Sequence, residues 1–149
     1  MGYFEIGIFQ PTHAQNVGTL WRSAYQLGAA GIFTIGRRYT HQPGDMFKVP
    51  QQIPLRQFLT LEEFLQARPE GAQLVGIEMG GTPLAAFRHP RRAIYILGAE
   101  DNGLAPKVLE QCNHIISIEA VNRASYNLAV AGSIVMYHRL YMETACPQP

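Results

Sequence analysis

Long hydrophobic runs are missing from this sequence. None approaches the roughly 20 apolar residues that span a bilayer, and residues 1–10 carry no basic segment ahead of an apolar one. A soluble, unsecreted protein with no membrane partner is the expectation. Cysteine is scarce: Cys112 and Cys146 fit neither a disulfide framework nor a thiolate zinc site, so a reducing cytoplasm is the expected compartment. Charge is scarce too, at 15% of 149 residues against about 25% in an ordinary globular chain. In so small a domain, that shortage suggests that part of the outside faces another subunit, and a homo-oligomer is expected. A net charge of +1 excludes bulk coating of nucleic acid but leaves room for a local basic patch. The 47% apolar content is enough for one core, and the length suits one domain spanning 1–149.

Aromatic and β-branched residues at 3–9, ending at Gln10-Pro11, predict a first strand. Val17, Leu20, Trp21, Ala24 and Leu27 recur at helical spacing, with Asn16 placed to cap and Gly28 to stop the helix. Further strands are predicted at 31–36, 73–78, 93–97 and 114–118, and a polar loop at 37–52. Thr60-Leu61-Glu62-Glu63 has the capping-box pattern, Ala105-Pro106 opens a short helix, and a last helix covers about 127–142 before a frayed tail at 144–149. Alternating strands and helices predict an α/β domain, a mostly parallel sheet flanked by helices. Ligands of such sheets bind beyond the carboxyl ends of the strands.

Three strand-end segments carry chemistry-bearing residues. The first holds Asn16-x-Gly18-x-x-x-Arg22, where a cap and a solvated arginine are the plain alternative; in a helix, six residues apart do not share a face. The second, Leu97-Gly98-Ala99-Glu100-Asp101-Asn102-Gly103-Leu104, puts carboxylates between glycines that let a ligand approach bare backbone. A generic turn accounts for the glycines but not for the acids. In the third, Ser125-x-Asn127-Leu128 precedes the small residues Ala129, Ala131, Gly132 and Ser133; one of the two polar residues suffices as a helix cap. Dinucleotide, P-loop, zinc-protease, nucleophile-elbow and Cys-x-x-Cys signatures are absent, and the five histidines lack metal-ligand spacing, so no metal is expected.

In order and placement, these three segments resemble the motifs of the SpoU (TrmH) family of SPOUT RNA methyltransferases, over about residues 3–141. The resemblance implies a homodimer with a C-terminal trefoil knot, transferring a methyl group from S-adenosylmethionine (SAM) to a ribose 2'-hydroxyl, of tRNA in preference to rRNA. Arg22 and Asn16 would then stand at the transfer site, supported by Glu100, Ser125 and Asn127. Backbone around Glu78, Gly98, Ile118, Ser125 and Leu128 would line the cofactor pocket. The family proposal makes the arginine a base; a guanidinium stays protonated, which favours Arg22 as a clamp for phosphate and developing alkoxide and leaves the base open.

One departure is Ile118-Glu119-Ala120, where the family often has Ile-Pro-Met; it adds a carboxylate near the cofactor or the dimer seam. The separate N-terminal RNA-binding domain of some relatives is not expected here, which leaves RNA to the catalytic domain and its dimer mate. Arg37, Arg38, Arg91, Arg92 and Arg123 are the principal candidates for RNA contact, with Lys48, Arg56 and Arg88 as further ones. A knotted SAM- or RNA-binding module without catalysis is the alternative reading. A flavodoxin-like protein would need a phosphate-binding glycine loop after the first strand, and 11–16 offer none.

Overall fold

The structure, a computed structural model, describes residues 2–40 and 52–145. Six strands form one sheet: β1 (Tyr3–Phe9), β2 (Gly31–Ile35), β3 (Leu55–Phe58), β4 (Gln73–Pro83), β5 (Arg92–Leu97) and β6 (His114–Ser117). Their order is β3-β2-β1-β5-β4-β6, and every neighbouring pair is parallel. A parallel sheet is covered on both faces, which is why β1, β2 and β5 are almost continuously apolar. On one face, α1 (Ala14–Gln26) and α4 (Leu128–Ala145) bury Leu20, Trp21, Val135 and Met136 against Ile6, Ile8, Tyr95 and Leu97. On the other, α2 (Leu61–Ala67) and α3 (Pro106–Leu109) bury Phe64 and Val108 against Phe33, Ile94 and Ile96. No described helix is long and apolar enough to cross a membrane.

Four details correct or extend the expectations from sequence. Strand β3 was not foreseen. Strand β4 runs on to Pro83 through an irregularity between Ile77 and Thr82. Helix α1 starts two residues before Asn16, with His13 at the N-cap position and no side-chain cap, so Asn16 is a first-turn residue and not the cap. The last helix continues to Ala145, taking in the start of the expected tail; residues 146–149, like most of the expected loop at 37–52, lie outside the described residues. At α2 the expected cap is made, with a shifted return bond: Thr60 accepts the Glu63 N–H, while the Glu63 carboxylate accepts the N–H of Leu59, one residue before the cap.

At the amino end of the sheet, β5 and α4 are tied by a polar network. Arg139 of α4 is 1% exposed and donates to the carbonyls of Pro90 and Arg91 and to the Tyr95 hydroxyl. His89 Nδ1 meets that hydroxyl at 2.6 Å, and its Nε2 meets His138 Nδ1 at 2.8 Å. Burial, with His138 and Arg139 adding to it, pushes the His89 imidazole down to about 3. An imidazole whose folded-state affinity for protons is depressed leaves the unfolded chain binding more protons, so stability rises with pH between about 3 and the ordinary imidazole value. The expected result is a loss of stability as pH falls through that window, at up to about 1.4 kcal/mol per pH unit. Urea titrations across it should show a shallower slope for His89→Gln; an unchanged slope would refute this.

Candidate active site

A cleft of about 680 Å³ opens beyond the carboxyl ends of β5 and β6 and beside the irregular stretch of β4 after Ile77. Its walls are three chain segments, 77–80, 97–103 and 117–128. Segment 97–103 is folded tightly on itself: the Gly103 N–H bonds the Ala99 carbonyl at 3.1 Å, and a Cβ at Gly98 would overlap the Gly103 carbonyl group. Gly103 also adopts φ 64°, a left-handed conformation that glycine takes without strain. Glu78 braces this turn, accepting the Leu104 N–H at 2.6 Å and the Met79 N–H at 2.9 Å. Of the residues expected around a cofactor, Glu78, Gly98, Ile118, Ser125 and Leu128 all line the cleft.

At the mouth, Glu100 gathers donors from the loop between β1 and α1 and from the first turn of α1. It accepts the Thr12 N–H at 3.3 Å, the Thr12 hydroxyl, and the Asn16 amide at 2.6 Å. Asn16 in turn accepts from the Asn127 amide at 3.0 Å. Asn127 caps α4, taking the N–H groups of Ala129 and Val130 at 2.9 and 3.2 Å. Three segments far apart in sequence thus meet in one hydrogen-bonded line. Partial burial alone would raise the Glu100 carboxyl, but the bonds from Thr12 and Asn16 outweigh it and hold the group below the ordinary carboxylate range.

The other candidates divide. Ser125 stands apart from this line and turns its hydroxyl to the Met79 sulfur at 3.6 Å. Arg22 lies on the exposed side of α1, nearly two turns beyond Asn16. Arg123 lines the cleft. Arg37 and Arg38 border a smaller cavity of about 240 Å³ with Gln57 and Phe58, at the carboxyl end of β2. Arg91 and Arg92 lie at the start of β5, the opposite end of the sheet, where the Arg92 guanidinium sits 5.5 Å from the Tyr3 ring centre. The arginines therefore do not form one surface. Arg56, expected as an RNA contact, is instead bound to the buried Glu5 carboxylate by both oxygens at 2.7 and 2.9 Å. Lys48 lies outside the described residues. Glu119 turns its carboxylate onto the Ala85 N–H at 2.9 Å, while its carbonyl accepts the Tyr126 hydroxyl, so it secures the wall of the cleft from behind.

Sequence reasoning missed Thr12 and His13. Both follow a strand that leads into the first motif, and a hydroxyl beside an imidazole at such a strand end is the signal that could have found them. Cys112 offers no nucleophile: burial pushes its thiol up to about 11.

Comparison with known proteins accords with this geometry. The model of the SpoU rRNA Methylase family matches residues 3–137. A tRNA/rRNA methyltransferase of Archaeoglobus fulgidus, itself uncharacterized, is 26% identical over 91% of this chain and 63% of its own length. A similar protein of Synechocystis is 28% identical, over 90% and 52% respectively, so the chain spans about half to three fifths of these curated relatives. Among solved structures, one described as giving structural insights into the 2-OH methylation of C/U34 on tRNA superposes with a TM-score of 0.86 at 25% identity, covering 97% of this chain and 98% of the other. The SpoU methyltransferase AviRb from Streptomyces viridochromogenes, solved in complex with the cofactor AdoMet, shares the fold, with a TM-score of 0.84 at 21% identity over 95% of this chain and 58% of its own.

Proposed function

The chain belongs to the SpoU rRNA Methylase family, and from that premise we propose that it methylates a ribose 2'-hydroxyl of RNA with SAM as donor, on tRNA in preference to rRNA, as a cytoplasmic homodimer. The observation that carries this reading is the line Glu100–Asn16–Asn127 at the mouth of a cleft built from three chain segments. The cleft suits SAM: its volume falls in the range of small-molecule sites, Ile77, Leu97, Ile118 and Leu128 offer an apolar bed for adenine, and the Glu78 and Glu100 carboxylates suit a cationic ligand. Bound there, SAM supplies an electrophilic methyl group on a sulfonium. The chain's own residues position the ribose and carry charge. Asn16 and Asn127 orient Glu100, and Arg22 steadies a substrate phosphate and the developing alkoxide.

The test is transfer of labelled methyl from SAM into small RNA from cells lacking this protein. Label should map to a ribose, and Arg22→Ala should lower incorporation by about 100-fold, the scale of losing one electrostatic stabiliser. SAM binding without transfer would instead support a binding module, and no SAM binding would refute the reading. The dimer rests on an uncovered strip of α4: Val130, Tyr137 and Tyr141 fall on one side of the helix and are 47%, 61% and 50% exposed. Light scattering at micromolar concentration should give twice 16.6 kDa; a monomer would contradict it.

A further inference from the structure

We propose that His13 accepts the proton of the ribose hydroxyl, as the end of a relay Glu100–Thr12–His13; the proposal rests on the methyltransferase reading above and goes beyond it. A threonine hydroxyl has one proton to give. The Thr12 Oγ1 touches two groups, Glu100 Oε2 and, at 2.8 Å, His13 Nδ1. Glu100 takes the Thr12 backbone N–H and the Asn16 amide as well, the surroundings of an ionised carboxylate, which only accepts. The Thr12 proton therefore goes to Glu100, and His13 Nδ1 must carry the hydrogen that completes the second bond. That assignment fixes the tautomer. With Nδ1 protonated, Nε2 keeps its lone pair, on a side chain that is 63% exposed and lies beside Glu100, a residue of the cleft lining.

Glu100 Oε1 lies 3.7 Å from His13 Nδ1, so the ring is held against the Glu100–Thr12 pair from two sides. His13 has no structural task that competes with this one: it occupies the N-cap position of α1, yet its side chain makes no capping bond. Arginine 22 cannot fill the role, because a guanidinium has no lone pair to offer. In the transfer step, the hydroxyl oxygen bonds to the methyl carbon, the carbon–sulfur bond breaks with its pair left on a neutral sulfur, and the hydroxyl proton passes to His13 Nε2. Water removes it afterwards.

Two measurements test this. The first needs no cofactor: long-range 15N–1H NMR of the SAM-free protein should show His13 protonated at Nδ1, and Thr12→Val should shift it toward the Nε2-protonated form. Wild-type His13 protonated at Nε2 would overturn the proposal. The second uses His13→Asn, which places a better capping residue at the head of α1 and so keeps the helix. With labelled SAM and small RNA from cells lacking the protein, the variant should lose at least about 100-fold in single-turnover rate, the scale of general-base catalysis, with SAM affinity by calorimetry held within about twofold. The wild-type rate should rise tenfold per pH unit along its acid limb, and His13→Asn should lack that limb. Transfer that survives in His13→Asn with its acid limb intact overturns the proposal alone. A wild-type protein that transfers no methyl group defeats the methyltransferase reading, and the proposal with it.

Discussion

Arg139→Ala should cost about 3–5 kcal/mol of stability and lower Tm by about 10 °C, an effect on the scale of emptying a large core position. The guanidinium holds the Pro90 and Arg91 carbonyls at 2.8 and 3.1 Å and the Tyr95 hydroxyl at 3.1 Å, and it lies 5.0 Å from the Phe4 ring centre. Alanine would take the side-chain donor from the Pro90 carbonyl, leave the Arg91 carbonyl with the Tyr3 N–H and the Tyr95 hydroxyl with His89, and open a void beside Phe4. The ion pair with Glu143, at 3.0 Å, is the smaller part, because Glu143 is partly exposed and water can replace it. Glu143→Ala should therefore cost under about 1 kcal/mol. Thermal melts of the two variants check the contrast; equal shifts would mean that the ion pair, and not the fork of carbonyl bonds, secures α4.

Gly98→Ala should abolish tight SAM binding, weakening it by at least tenfold in calorimetry, and destabilise the fold by about 2–3 kcal/mol. Its added methyl would meet the carbonyl of Gly103 and the backbone of Leu104, atoms that cannot swing aside. Segment 97–103 would have to open, and with it one wall of the cleft. Gly71→Ala, away from the cleft lining, is the matched control. Gly71 has φ 77° and open space where a Cβ would go, so alanine there costs about 1 kcal/mol of backbone strain without a clash and should leave SAM binding unchanged. If both variants bound SAM like the wild type, the cleft would not be the cofactor site.

Periodicity carried most of the architecture. Strands β1, β2 and β5 are buried on both faces, and such strands announce themselves as apolar runs between glycines and turn residues. Strand β3 escaped because Leu55-Arg56-Gln57-Phe58 is short and half polar, an edge strand whose arginine is spent on Glu5. For Asn16 the residue type misled: an asparagine ahead of an apolar periodicity resembles a cap, whereas here its amide is committed to Glu100 and helix α1 begins earlier. Arg139 was invisible for a different reason. It reads as one polar residue in a helix with apolar positions on several sides, and only the packing of α4 against β5 shows that it is buried. The motif residues Glu100, Asn16 and Asn127 were legible as a set, but the bonds that join them depend on the path of three loops, which no local pattern encodes.

The separation of those residues along the chain has a consequence for the order in which the protein is built. Glu100 lies 84 residues from Asn16, and Asn127 lies 111 from it. A nascent chain emerges amino end first, and contacts between distant residues form late. Until residues 117–128 have left the ribosome, Asn16 lacks Asn127 and the third wall of the cleft does not exist. A chain cut short of them therefore has no complete site with which to hold a ligand. Ligand binding becomes a report that synthesis has reached the head of the last helix.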